Sequence, residues 1–227
     1  DPKKIGLKNI EGAIVCKERL IDLDAAKKFF KKKLNNKIIF KTEIKKIQKN
    51  GNYYIIKKKK YDYVINCSWQ QFKPNPEWEL SYEPCLTFLY KPKYKNLPSL
   101  TIMDGPFYTL YEWKKGLFNL YSVLDSRIVT TKNLIYAKKI LNNLNIANQK
   151  MIKTKVENKF NNFYPNFRKN FKFSGYLKSL RTIENTQTHN RELKIKCKNN
   201  FIDVLSGKID HIHLAEKKIF KCLKKKY

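Results

Sequence analysis

Arg181 stands in the stretch SGYLKSLRTIE, as the only arginine of a β-type run from Phe171 to Ile183 that also holds Tyr176. A guanidinium on a strand of an aromatic-rich sheet can clamp a carboxylate through two parallel N–H bonds. An edge-strand arginine reaching solvent is the competing reading. Further on, FIDVLSGKIDHIHLAEKKI reads as a strand over Asn200–Leu205, a Ser206-Gly207 turn and a helix from Ile209 to Leu223. The start of such a helix aims N–H groups at one point, a seat for an anion or an electron-rich carbonyl. An ordinary βα turn gives the same pattern. Asp104 in MDGPFY could act as an acid, although Asp before Gly is chiefly a turn former. His211 and His213 would point about 200° apart on a helix of 3.6 residues per turn, which argues against a shared metal. The seven glycines never fall at GxGxxG spacing, and GxSxG, HExxH and Walker loops are missing.

The chain has 227 residues and a formal charge of +30, with 42% hydrophobic residues, 14 Tyr and 14 Phe. That apolar content excludes a disordered chain, and no apolar run approaches the roughly 20 residues that span a bilayer. A soluble, globular, cytoplasmic protein is expected. The charge suggests polyanion binding, yet only five of the 49 basic residues are arginine, the better fork for phosphates and base edges. Lysines spread along the whole chain, among Asn, Ile and Tyr, also fit a bias toward AT-rich codons. Nucleic acid therefore ranks low as a partner without being excluded. The five cysteines (Cys16, Cys67, Cys85, Cys197, Cys222) show no CxxC spacing. Cys16 and Cys67 lie in apolar runs where a thiol serves as a small buried hydrophobe, so a reducing compartment without structural disulfides is expected.

These residues must be positioned by a succession of elements. Ile10–Glu18 reads as a strand; Asp22 or Asp24 caps a helix carrying Ala25, Ala26, Phe29, Phe30 and Leu34 on one face, ended by Asn35-Asn36. KIIF (37–40) reads as a short strand. Asn50-Gly51 predicts a hairpin pairing Thr42–Lys49 with Asn52–Lys59, and YDYVINC (61–67) a buried strand running into Ser68-Trp69. From Pro74 the texture changes to aromatic strands at Cys85–Tyr90, Leu100–Met103, Phe107–Trp113 and Leu117–Leu124, one face of a mainly antiparallel sheet. Helices follow from Thr131 or Asn133 through Leu144 and over Asn148–Phe163.

In order, these segments resemble the FAD-dependent D-amino-acid oxidase/glycine oxidase-like (DAO) family. The helix, strand and NG-hairpin run ending in YDYVINCSW resembles the middle of that family, where a strand, a small-residue turn and Trp return the chain to the flavin. TIMDGPFYTLYEW resembles its substrate-domain strands, SGYLKSLRTIE the segment bringing an arginine to the substrate carboxylate, and the final strand–glycine–helix the piece covering the flavin pyrimidine edge. The N-terminal GxGxxG unit of the family is missing, and SGK replaces its GH-rich ending. The resemblance implies FAD as cofactor and places Ile44 by the adenine. Cys67, Ser68 and Trp69 would line the flavin, with Ser206, Gly207, Lys208 and Ile209 at flavin N1 and C2=O. Arg181 would hold a substrate anion, between walls from Tyr108, Tyr111 and Tyr176.

The expected fold is α+β: a partial FAD-binding α/β layer from residues 1–78 and 185–227, and an antiparallel-sheet substrate domain with helices at 79–184. The implied function is a flavoprotein oxidoreductase, here a fragment missing its N-terminal nucleotide-binding segment. It would transfer hydride from an amine, amino acid or hydroxyl substrate, and alone would bind FAD weakly or not at all. The alternatives are a basic nucleic-acid-binding module without catalysis, stacking bases on its aromatics, and a degenerate relative used for assembly.

Overall fold

The computed structural model describes residues 1–17, 20–103, 105, 107–185 and 191–224; Asp104 lies outside them. The fold is α+β. The chain runs through α1 (Leu23–Lys33), β1 (Gln48–Asn50), β2 (Tyr53–Ile56), β3 (Lys59–Tyr61), β4 (Val64–Asn66), β5 (Leu80–Pro92), β6 (Leu100–Ile102), β7 (Tyr108–Lys114) and β8 (Leu117–Ser122). It continues through α2 (Leu134–Asn142), α3 (Ile146–Asn161), α4 (Phe167–Asn170), β9 (Phe171–Glu184), β10 (Lys194–Lys198), β11 (Phe201–Leu205) and α5 (Ile212–Lys224). Two compact units result, one from Asp1–Asn35 with Glu83–Arg181, the other from Asn36–Tyr82 with Thr182–Tyr227. The chain passes between them within β5 and again within β9. The division differs from the expected boundaries chiefly in grouping the first helix with the antiparallel sheet.

The first unit is built on a five-stranded sheet of order β6-β7-β8-β5-β9. Alternation along the strands sends Leu86, Phe88 and Tyr90, Leu110 and Tyr108, and Phe118 and Leu120 into one core with Val156 and Phe160 of α3 and Phe167 of α4. Asn133 and Asn145 cap α2 and α3 by accepting from the N–H groups of Tyr136 and Asn148. Phe160 is fully buried, its ring 5.4 Å from Tyr108 and 5.1 Å from Phe167. Asp22 caps α1 by accepting from Asp24 and Ala25. The apolar face of α1 nevertheless stays open, with Phe29 58% exposed.

The second unit is three layers. Its middle sheet, order β10-β11-β4, pairs β11 antiparallel to β10 and parallel to β4, with Asp203 opposite Asn66. Every residue of β11 is buried because both faces are covered. Phe201 packs with Tyr54 of the β1-β2-β3 meander, while Ile202 and Val204 face Ala215, Ile219 and Leu223 of α5.

Several expected elements differ. Residues 10–17 form no strand, and Ile14 and Val15 are almost wholly exposed: a β-branched run without a neighbouring strand has no ladder to join. Cys16 is therefore exposed, and so is Cys67, which lies just past β4. KIIF is likewise unpaired, following a short 3₁₀ turn at Asn35–Lys37. The Asn50-Gly51 hairpin exists but is shorter, pairing Gln48–Asn50 with Tyr53–Ile55. YDYVINC divides into β3 and β4, because Tyr61 closes the meander while Val64 starts the middle sheet. Cys197 of β10 and Cys222 of α5 form a disulfide, contrary to the expectation of none. The polar run KIKCK gave no hint of β10. No helix among the described residues is long and apolar enough to cross a membrane.

Candidate functional site

In the second unit, the parallel register of β4 and β11 brings their carboxyl ends side by side. The segment Cys67-Ser68-Trp69 leaves one strand and Ser206-Gly207-Lys208-Ile209 leaves the other, so seven of the eight residues assigned to the cofactor sit at one sheet edge. The carboxyl edge of neighbouring parallel strands is where open α/β sheets seat ligands. Ile44, the eighth, is half-buried in the irregular stretch before β1 rather than in a strand.

The edge is organised by a buried carboxylate that was not singled out from the sequence. Asp203 accepts at Oδ1 from Asn66 Nδ2 (2.9 Å) and at Oδ2 from Asn75 Nδ2 (2.9 Å), with Gln70 Nε2 at 3.5 Å. Gln70 is fully buried and also reaches the Val204 carbonyl. To place it there the chain reverses directly after β4, with Trp69 and Gln70 both at positive φ (55° and 58°). Left-handed backbone is costly for side chains of this size, and local bonds hold it. Ser68 Oγ donates to Asn66 Oδ1 (2.6 Å) and accepts from Phe72 N–H (3.1 Å), while Asn66 Nδ2 donates to the Phe72 carbonyl. Trp69 is left 36% exposed. Cys67 is exposed on one side, and the protein packed against its other side raises its thiol pKa.

On the β11 side, Ser206 Oγ donates to the Lys208 carbonyl (2.8 Å) and lies 3.1 Å from His211 Nδ1. His213 follows in the first turn of α5, and no group of three or more metal-ligating side chains occurs among the described residues. Arg191 donates to the Gly207 carbonyl. A side chain at Gly207 would bring its Cβ within 2.9 Å of the Arg191 Cβ, so glycine is needed for this close packing. In this turn Arg191 and Lys208 outnumber the one acid, Asp210.

The residues assigned to the substrate all lie in the first unit. Arg181 Nη1 donates to the Tyr121 hydroxyl (2.7 Å) and its Nη2 lies 3.1 Å from Glu83 Oε2. Glu83 is 1% exposed, and its Oε1 also accepts from Arg127 Nη1 (2.9 Å) and Thr130 Oγ1 (3.0 Å). Burial opposes the charge on Arg181, but Tyr121 and Glu83 more than offset it and raise its pKa. Cys85, in the same cluster, is buried, and its thiol is pushed up to about 11. Tyr108 is fully buried, its hydroxyl donating to Asp125 (2.9 Å), and burial raises its pKa. Its ring belongs to the core. Tyr111 is half-buried on β7 and Tyr176 partly exposed on β9. A groove lined by Leu20, Ile21, Asp24, Glu112, Trp113 and Lys114 holds none of the assigned residues.

Glu83, Arg127, Asn66, Gln70, Asn75, Asp203 and Arg191 were all missed from the sequence. A buried acid inside an apolar strand (Asp203 in FIDVL, Glu83 in SYEPCL) was the available signal, since such a charge requires partners.

No family model matches the chain. It is similar to the FAD-dependent monooxygenase FPY4 of Fusarium mangiferae, at 22% identity over 219 residues, which covers 96% of this chain. The chain spans 59% of that relative's length.

Proposed function

We propose that the chain belongs to an FAD-dependent oxidoreductase acting on a small molecule. The observation that carries this reading is the parallel pairing of β4 with β11, which aligns the two segments, distant in sequence, that are proposed for the cofactor. The likeness to an FAD-dependent monooxygenase along nearly the whole chain supports it.

The residues at that edge fit a flavin in three respects. Trp69 offers an apolar plane, the Ser206–Ile209 turn offers backbone N–H groups, and Arg191 and Lys208 offer positive charge. Arg191 already fills the space over Gly207, so the group offered to a flavin at this turn would be the arginine. The bound flavin would supply two-electron chemistry, taking a hydride from a substrate C–H. The chain's own part is alignment and field: cationic groups near the pyrimidine edge stabilise negative charge there, and a fixed substrate pose reduces the entropic barrier. Arg181, Tyr111 and Tyr176 are proposed for the substrate side, with an amine, amino acid or hydroxyl compound as substrate. With no GxGxxG turn in the sequence, no residue here is assigned to the pyrophosphate.

The test is an FAD titration of the protein followed by flavin absorbance and fluorescence. Saturable perturbation that Gly207→Val weakens supports the proposal. An unperturbed spectrum, with oligonucleotide binding that falls steeply with salt, overturns it in favour of a basic nucleic-acid module.

A further inference from the structure

β8 runs through the middle of the sheet of the first unit, between β7 and β5. Its residues Phe118 and Leu120 enter the core with the helices, so Asn119 between them points to the opposite face. The register sets Asn119 directly across from Leu89 of β5 and Tyr111 of β7, one row of side chains over three strands. In the next row of that face Tyr121 lies beside Thr109. These four neighbours are half-buried, whereas Asn119 is 5% exposed. Its Oδ1 is buried and has no hydrogen-bond partner among the described residues. Two costs meet at this position. A carboxamide acceptor withdrawn from water without a donor is destabilising, and asparagine suits a strand interior poorly. Leucine, of similar shape, would carry neither cost. An acceptor kept in that state is accounted for by a donor that arrives from outside the chain.

We propose that Asn119 is a specificity-determining residue whose Oδ1 accepts a hydrogen bond from a hydroxyl group of a small substrate lying on this face of the sheet. Leu89 and Tyr111, on either side of it, offer apolar contact to the carbon skeleton. A site with a buried acceptor rejects an analogue that has no donor, because the acceptor then stays unpaired. The neighbours along β8 select a neutral hydroxyl over an ammonium group. The Tyr121 hydroxyl accepts from Arg181, and Arg181 and Arg127 share the single carboxylate of Glu83. A cationic ligand would meet like charge there, and a neutral one would not. The inference deepens the oxidoreductase reading: it rests on that reading in calling the ligand a substrate, and it narrows the substrate to a hydroxyl compound.

The test uses the protein without added flavin. 4-Fluorobenzyl alcohol and its methyl ether, which keeps the ring and loses the donor, are titrated in parallel by fluorine NMR, with 4-fluorobenzylamine as the cationic arm. Saturable binding of the alcohol is expected, at least about tenfold tighter than that of the ether, the worth of one hydrogen bond. Asn119→Leu should bring alcohol and ether to equal affinity. The same variant should unfold at an equal or higher urea concentration than the parent protein, because it removes an unpaired buried acceptor. A structural role predicts the reverse. Loss of folding in Asn119→Leu, read by circular dichroism, or a lower urea midpoint shows that the carboxamide holds the fold, and overturns the proposal. So do the lack of saturable binding to the parent, an ether bound as tightly as the alcohol, and a variant that keeps the preference. Tighter binding of the amine than of the alcohol overturns the hydroxyl assignment. These titrations contain no flavin and the FAD titration contains no alcohol, so failure of the flavin reading and failure of this one are read independently.

Discussion

Replacing Asp203 by Asn changes one atom at the point where β11 is tied to the turn after β4. The parent carboxylate takes two amide donors at 2.9 Å, one on each oxygen. Hydrogen bonds to a charged group are worth about 1.5–3 kcal/mol, and a buried donor left without an acceptor costs about 1–3 kcal/mol. A carboxamide at position 203 retains one acceptor and turns an NH2 toward the donor opposite. Neither neighbour can flip to relieve the conflict. The Oδ1 of Asn66 holds Ser68 and that of Asn75 accepts from Glu77 N–H (3.0 Å). Relief from burying a charge acts in the other direction, leaving a net loss of roughly 2 kcal/mol, or about thirtyfold in the folded-to-unfolded ratio. Urea unfolding followed by tryptophan fluorescence measures the loss. Amide exchange at Gln71, whose N–H donates to the Ser68 carbonyl, reports the turn directly. A change below about 0.5 kcal/mol with Gln71 protection intact, the size of an ordinary surface substitution, would refute the claim that Asp203 organises this edge.

Reducing the Cys197–Cys222 bond, or replacing either cysteine by Ser, should cost about 3 kcal/mol of stability, since it opens a loop of sequence separation 25. Paired melts with and without a thiol reductant measure it. Asp125 provides a pH dependence. Burial alone would raise its pKa, but hydrogen bonds from Lys159, Tyr108 and Lys155 outweigh burial and hold it below the ordinary carboxylate range. Its contribution to stability is therefore present above the unfolded-state pKa of about 3.9 and lost as pH falls through the lowered folded value. In melts taken across acidic pH, Asp125→Asn should flatten that decline. Phe160→Ala should remove about 3–5 kcal/mol, because the ring is fully buried among Tyr108, Tyr164 and Phe167. Chemical denaturation of the variant against the parent gives the figure.

Elements with internal periodicity were legible in the sequence. The aromatic strands β5 to β8 and helix α2 were recognisable because their apolar residues repeat at the period of one buried face, and Asn133 caps α2; α3 was expected from Asn148, and its Asn145 cap was missed. The runs around Ile14 and Ile39 misled for the complementary reason: they have strand composition, but a strand exists only where another offers its backbone. The two segments proposed for the cofactor were singled out by the family resemblance of their turns, Ser68-Trp69 and Ser206-Gly207. The polar network beneath them was not, because Asn66, Gln70 and Asn75 become meaningful only once β11 supplies Asp203, distant in sequence. Glu83 and Arg127 illustrate the same limit, being joined across antiparallel backbone rather than along the chain.

That long-range pairing also governs how the polypeptide acquires its shape. The meander and β4 leave the ribosome well before β11, yet the sheet that β4 belongs to is completed by β11, whose partner residue in β4 was made 137 positions before. At about 5–20 residues per second, several seconds separate the two, and through that interval the surface of β4 that β11 will hide stays solvated. Pairings of such sequence distance are slow to close. The second unit should therefore reach protease resistance only after β11 has emerged, and nascent chains arrested before Phe201 should be cut within Asn36–Tyr82.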